Sequence, residues 1–465
     1  MRKTLGSMFA RVLSAASLVA VGLGLIAVRP AMAQTSYVVD DLGALAGDSS
    51  SVAWGINASG DVVGWSTGAA GTRAFLYTSA RGMVALPGPP DRPRTVARDI
   101  SDAGVIVGSA NRGGTDLGHA VLWSGGSVQD IGTLGTGFYS EAWGVNNLGQ
   151  VVGSSYTDGG SGLTGVHGFV YSEAEGLIDL TPDSDTGHAL DINDAGQVTG
   201  YKTAFGGYHA FRWQGGTFAD LGVIPGFAHT FGWAINASGR VAGNATSASG
   251  NSERLVRSLD GSFQDLGGAG EHNVGLGINA SGQVVGTRGN SQKRALLYTD
   301  ERGLQELNAL IDASLGWVLL GANDINDAGQ IVGYAHNNFT GQTHAVKLRP
   351  ANGSPAECTF QCLRSSRIVL QSQAVRRSYS IKGKITVQDE NAAPIPRALV
   401  LARWTRPDGS QSDQYTPTGS NGVAALATQG PSGTYTLTIV NILRSRFTFN
   451  PTDSVLVKST TVGVR

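Results

Sequence analysis

The chain has 465 residues, 67 of them Gly, with 34 basic and 35 acidic side chains and two Cys. That length can hold two or more domains and a large core, and so weak a charge balance is a poor footing for nucleic acid, which needs clustered Lys and Arg against phosphate. The Gly content, about twice that of an average soluble protein, requires a repeated structural cause.

Residues 1–33 begin with Arg2, Lys3 and Arg11, continue through an apolar run over 12–28 and end at Ala31-Met32-Ala33. This predicts a secretory signal peptide with an Ala-x-Ala cleavage site rather than a membrane anchor. Export to an oxidising compartment also favours a local disulfide between Cys358 and Cys362 over a Zn site, because no His or second Cys pair lies nearby. Past the leader the charge divides. Residues 34–362 carry 17 basic and 30 acidic side chains, whereas residues 363–465 carry 13 and 5. Opposite signs predict two domains with different surfaces.

The first of these is repetitive. Its last copy reads Ile325-Asn326-Asp327-Ala328-Gly329-Gln330-Ile331-Val332-Gly333, which predicts a strand, a tight turn and a second strand. The turn residue recurs as Asn57, Ser101, Asn146, Asn193, Asn236, Asn279 and Asn326, at spacings of 43 to 47 residues. Gly follows three positions later every time (Gly60 to Gly329) and again seven positions later (Gly64 to Gly333). The first Gly fits a left-handed position closing a hairpin loop; the second predicts a bulge or close backbone approach. A third strand follows, as in His209-Ala210-Phe211-Arg212-Trp213, and a fourth, as in Asp220-Leu221-Gly222. Four short strands per 45 or so residues is the size of a propeller blade.

Seven turn phrases predict seven blades. The last unit ends at His344-Ala345-Val346-Lys347-Leu348 without a fourth strand, and a spare one, Asp41-Leu42-Gly43, stands at the start of the mature chain. Residues 37–44 are therefore expected to complete the last blade and close the ring, removing the open edge; an open β-solenoid is the alternative. The phrases Gly-Ile-Asn-x-x-Gly-x-Val-Val-Gly, His-Ala-Phe-x-Trp and Asp-Leu-Gly are similar to those of the HAF-repeat family of bacterial extracellular proteins, over about residues 37–349. That resemblance implies export and a propeller-like repeat, without a defined activity.

From Pro350 the period stops, and residues 350–380 read as a linker. Residues 381–465 show short alternating strands and the turns Pro407-Asp408-Gly409 and Ser420-Asn421-Gly422, predicting a β-sandwich. The segment resembles Ig-like or prealbumin-like accessory domains, which implies binding or spacing rather than chemistry. The expected fold is thus all-β: a seven-bladed propeller closed by an N-terminal strand, then a sandwich.

Candidate site residues come from equivalent repeat positions. Arg73, His119, His167, His209, Arg254, Arg294 and His344 each open the third strand, and in a ring they would form a circle of donors suited to a polyanion, or else pack within their own blades. Asp130, Asp179, Asp220 and Asp265 tempt a glycosidase reading, but a catalytic pair should be unique, and these more naturally hold turn amides. Trp54, Trp143 and Trp233, each three residues before the turn Asn, fit inter-blade packing or sugar-stacking platforms. No nucleophile phrase, Zn motif or phosphate-binding Gly loop occurs, so no catalytic residue, metal or cofactor is expected. The partner expected is an extracellular glycan or protein, with a secreted carbohydrate-active hydrolase or lyase as the alternative.

Overall fold

The computed structural model describes residues 36–463 apart from 114–117, 159–164, 205, 260, 269–271, 290–291, 352–361, 376–377, 390, 445–447 and 450–454. The leader, Cys358 and the Cys362 side chain, and with them the expected disulfide, lie outside the described residues. What is described is strand and turn, with two short 3-10 helices at Leu307–Leu310 and Ala313–Leu315. No helix among these residues is long and apolar enough to cross a membrane.

Each repeat folds its strands in chain order into one antiparallel sheet. The second repeat pairs Arg94–Ile100, Ile106–Asn111, His119–Ser124 and Ser127–Gly132, and the same order recurs over residues 140–179, 187–220, 229–267 and 273–306. In the first repeat it runs Asp48–Ile56, Val62–Gly68, Gly71–Thr78 and Gly82–Ala85, and a parallel bridge between Ser50 and Thr343 joins these strands to those of the last repeat in one eight-stranded sheet. The last repeat supplies Trp317–Ile325, Ile331–Asn337 and Gln342–Pro350, and Tyr37–Gly43 adds to the edge of Gln342–Pro350, with Val39 opposite Leu348 and Asp41 opposite Val346. The first strands of successive sheets touch one another in turn, and Trp317–Ile325 touches Asp48–Ile56. This is a β-propeller.

Local chemistry explains the repeated phrase. All seven Gly residues three after the turn residue have φ between 71° and 79°, a left-handed conformation in which a Cβ would clash. Seven after it, the backbone is crowded: a Cβ on Gly200 would lie 1.8 Å from the His188 carbonyl oxygen, and the other six copies meet their facing carbonyl at 1.8 to 2.1 Å. Only Gly can follow the first strand this closely.

Asn does more than turn the chain. Asn193 Oδ1 accepts from the amides of Ala195 (3.1 Å) and Gln197 (3.0 Å), while its Nδ2 donates to Gln197 Oε1 (2.8 Å) and to the carbonyl of Asn236 in the next repeat (2.9 Å). The same inter-repeat bond runs from Asn146 to Asn193, Asn236 to Asn279, Asn279 to Asn326, Asn326 to Asn57 and Asn57 to Ser101. A carboxylate would satisfy the amides but could not donate, so the belt selects Asn. Ser101 interrupts it, and there Asp102 N donates to Asn147 Oδ1 instead (2.7 Å).

Apolar side chains fill the spaces between sheets. Phe75, Phe169 and Phe211 in the third strands are 0 to 1% exposed, and truncating one such ring costs about 3–5 kcal/mol. One cluster joins Leu42, Ala53, Ile56, Phe75, Val332 and Ala345, thus the N-terminal strand, the first repeat and the last. A recurring hydroxyl stitch adds to it. Ser140 Oγ donates to the Gly132 carbonyl (2.5 Å) and accepts from Ala120 N (2.8 Å), and Ser51 does the same to Gly43 O (2.5 Å) and Ala345 N (2.7 Å).

C-terminal to the repeats, two four-stranded sheets enclose one core. Cys362–Val375, Ser378–Gln388, Val423–Gly430 and Thr448–Phe449 form one; Leu399–Thr405, Gln411–Pro417, Gly433–Leu443 and Val457–Val462 form the other. Trp404 and Tyr435, both 0% exposed, pack there with Ile381, Ile385 and Leu437. The linker expected over 350–380 is corrected here: Pro350 ends a propeller strand, and Cys362–Val375 is a strand of 14 residues paired along its length with Ser378–Gln388. A register shift between Ser365 and Arg367 moves the buried face from Leu363 and Ser365 to Ile368 and Leu370, so the strand shows no continuous alternation in sequence.

Candidate functional site: the propeller axis

The seven residues that open the third strands are held within their own sheets or the closing strand. His119, His167 and His209 place Nδ1 at 2.8, 2.6 and 2.9 Å from Asp130, Asp179 and Asp220 of the neighbouring fourth strand. His344 pairs with Asp41 of the N-terminal strand at 2.9 Å. Arg254 lies 3.9 Å from Asp265, Arg73 pairs with Asp48 at 2.8 Å, and Arg294 donates to the Lys293 carbonyl. The other oxygen of the fourth-strand Asp accepts the amide two residues on, as from Gly132 to Asp130 and Gly222 to Asp220 (2.8 and 2.7 Å). The repeated Asp therefore caps its turn and holds the His, with both oxygens engaged.

The residues on which the repeats disagree behave differently. Three positions before the turn, the first strands carry Trp54, Arg98, Trp143, Leu190, Trp233, Leu276 and Asn323, which face the axis because these are the innermost strands. The tryptophans meet there. Trp54 lies 5.4 Å from Trp65 and 6.4 Å from Trp143, and Trp143 lies 6.2 Å from Trp233. The Arg98 guanidinium sits 4.3 Å over Trp143 and 4.8 Å over Trp54, an attractive cation–π geometry. Glu141 fixes it at 2.7 Å and itself accepts from Tyr139 Oη at 2.8 Å. The hydroxyl of Tyr139 is held protonated, first by burial and then by that carboxylate.

A second aromatic cluster forms in the middle repeats. His188 stacks on Tyr201 at 4.7 Å, and Tyr201 packs edge-on to Phe231 at 4.8 Å and to Tyr208 at 5.8 Å. Burial lowers the pKa of His188 to about 4, so it is neutral at physiological pH and exchanges a hydrogen bond with Ser154 Oγ (2.7 Å).

One residue closer to the turn, Asp99, Asp191 and Asp324 alternate with Gly55, Gly144, Ala234 and Gly277. Each carboxyl group spans two repeats. Asp99 accepts from Ile100 N (2.7 Å) and Val145 N (2.8 Å), Asp191 from Ile192 N and Ile235 N (both 2.7 Å), and Asp324 from Ile325 N (2.7 Å) and Ile56 N (3.0 Å). The alternation has a steric cause, since Cβ atoms on Gly55, Gly144 and Gly277 would approach the Cα atoms of Asp99, Asp191 and Asp324 to 3.0, 2.9 and 2.8 Å. Burial raises all three pKa values, that of Asp324 to about 7, and neighbouring carboxylates add to the rise, Asp102 at Asp99, Asp99 and Asp324 at Asp191, and Asp99 at Asp324. Two amide donors each oppose it. Together with the tryptophans these groups line one axial cavity.

Past the turns, at the other mouth, Asp102, Asp194 and Asp327 accept the amides of Ala58, Asn147 and Ala280 at 2.7 to 2.8 Å. Among the described residues no group of three or more His, Cys, Asp or Glu is placed to hold a metal ion. Sequence reasoning located the three tryptophans but missed Arg98, Glu141 and the axial aspartates. The aspartates left a signal: Asp-Ile-Ser-Asp at 99–102 and Asp-Ile-Asn-Asp at 191–194 and 324–327 recur in three repeats only.

No protein-family model and no curated protein sequence matches the chain. Solved structures with which it aligns include TolB from Acinetobacter baumannii (14% identity, 55% of this chain and 63% of that one, TM-score 0.38). A gluconolactonase candidate aligns at 14% identity over 60% of this chain and 98% of its own (TM-score 0.33). Dipeptidyl peptidase 4 from Porphyromonas gingivalis aligns at 9% identity over 70% and 54% (TM-score 0.31). The chain spans less than two thirds of the length of the first and third of these.

Proposed function

We propose that this chain is a secreted, non-enzymatic binding protein of the HAF-repeat type: a closed seven-bladed propeller with a C-terminal β-sandwich. Its ligand, an extracellular glycan or a protein segment, is received at the aromatic mouth of the axis. The observation that carries this reading is the convergence of Trp54, Trp65, Trp143 and Trp233 with Arg98 and Glu141 at positions where the repeats differ. A scaffold residue recurs in every blade, whereas a ligand site needs aromatic faces and a few placed polar groups at one spot. The His and Asp residues that do recur are consumed by each other. Seven turn phrases, the pairing of Tyr37–Gly43 with Gln342–Pro350 and the Asn326-to-Asn57 bond support ring closure.

One observation favours a carbohydrate-active hydrolase or lyase as the second reading. Carboxyl groups of raised pKa beside tryptophan walls are the equipment of a general acid. Glycan-array binding combined with a reducing-end assay separates the two. Retention without new ends, lost in Trp143→Ala, supports binding; new ends lost in Asp324→Asn support hydrolysis or lysis. Absence of both in the intact protein refutes the glycan ligand.

A further inference from the structure

We infer that the exposed face of one C-terminal sheet is a second binding surface, and that it takes an anionic polysaccharide bearing carboxylate or sulfate groups. The strands Cys362–Val375, Ser378–Gln388 and Val423–Gly430 contain no Asp or Glu. They alternate cleanly. Ile368, Ile381, Ile385, Ala424 and Leu426 point into the core, so Arg367, Lys382 and Lys384 point out, and all three are exposed.

Register then sets the geometry. Lys384 stands between Val369 and Ala425, Lys382 between Gln371 and Ala427, and Arg367 opposite Thr386. Lys382 and Lys384 are about 7 Å apart along their strand, and Arg367 is a diagonal neighbour of Lys384 at a similar distance. Every cross-strand partner of these three is neutral, and among the described residues none of the three forms an ion pair. Like charges gathered without counter-charge repel, and an incoming polyanion relieves that repulsion. Several cations elsewhere are neutralised by a carboxylate: Arg98 by Glu141, Arg257 by Asp300, Arg349 by Asp40 and, on the opposite C-terminal sheet, Arg403 by Asp413.

The chemistry of the face selects the class of partner. Its outward positions carry no aromatic ring on which a base could stack, and apart from Val369, Val375 and Val423 its apolar groups are alanine methyls, too short to insert into a bilayer. A flat lattice of cations with small neutral spacers suits a chain of regularly spaced anionic groups. Charges of this kind act through the ionic atmosphere, so binding should weaken steeply with salt.

The test uses the full-length protein with dextran sulfate and polygalacturonate as probes, neutral dextran as control, and affinity electrophoresis or calorimetry as readout. Binding of both anionic polymers but not of dextran is expected at low ionic strength. In the triple variant R367A/K382A/K384A it should weaken about tenfold or more, at an unchanged melting temperature. The charge-matched variant R81A/R112A/K293A and the mouth variant Trp143→Ala should retain it. Equal weakening in both triple variants, no binding by the intact protein, or binding only to anionic phospholipid vesicles overturns the inference.

Discussion

The turn belt and the axis lie within three residues of each other in every repeat, yet they use opposite strategies. At the belt one residue type is repeated so that each repeat hands a hydrogen bond to the next; at the axis the residues differ so that unlike groups can meet. Asn193 and Asn236 do the same work, whereas Trp143, Leu190 and Trp233 do not. Repetition marks what the ring needs from each blade, and divergence marks what the ring offers to something else.

Five measurements sharpen this contrast. The largest effect is expected at the crowded backbone. Gly200→Ala places a methyl 1.8 Å from the His188 carbonyl oxygen, and since neither strand can withdraw without breaking its ladder, unfolding by denaturant should show a loss of about 3–5 kcal/mol. Asn193→Ala removes two accepted amides and the inter-repeat bond from a residue only 7% exposed. It should cost about 2–3 kcal/mol, with Asn193→Asp intermediate because only the donor is lost.

The axial aspartates predict a pH dependence of defined sign. Burial raises their pKa above that of the unfolded chain, which is about 3.9. Between about pH 4 and pH 7 the folded protein therefore binds more protons than the unfolded one, and the stability contributed by these groups is lost as pH rises through that window. Melting temperature should be higher at pH 5 than at pH 8, and Asp324→Asn should flatten the difference. A melting temperature that rises with pH, unaltered by Asp324→Asn, would refute the assignment.

Smaller changes test the repeat logic from the other side. Ser101→Asn should restore the missing belt donor toward the neighbouring repeat and add about 0.5–1 kcal/mol, measured by thermal denaturation. His209→Ala removes a partner of Asp220, an aspartate whose side chain is more than half exposed. It should cost less than about 1 kcal/mol and leave glycan binding unchanged. Lost binding at unchanged stability would return the third-strand histidines to the site.

Legibility followed the range of the interactions. The left-handed Gly residues, the Asp that caps its own turn and the pairing of the strand at Asp41-Leu42-Gly43 with the last repeat were readable because a local contact repeated many times leaves a period in the sequence. The C-terminal strand Cys362–Val375 was hidden for the converse reason: it occurs once, and the register shift between Ser365 and Arg367 breaks its alternation. Arg98 and Glu141 are 43 residues apart and belong to different blades, so nothing local ties one to the other.

By itself the sequence determined the blade, since turn geometry, strand alternation and the steric demand for Gly are set by neighbours along the chain. Which residues face one another across the axis was decided only by the tertiary structure. The arrangement of the repeats brings Trp54, Trp143 and Trp233 from every second repeat to one place, and gathers the half-buried Asp99, Asp191 and Asp324 in one cavity where partial desolvation disfavours their charge.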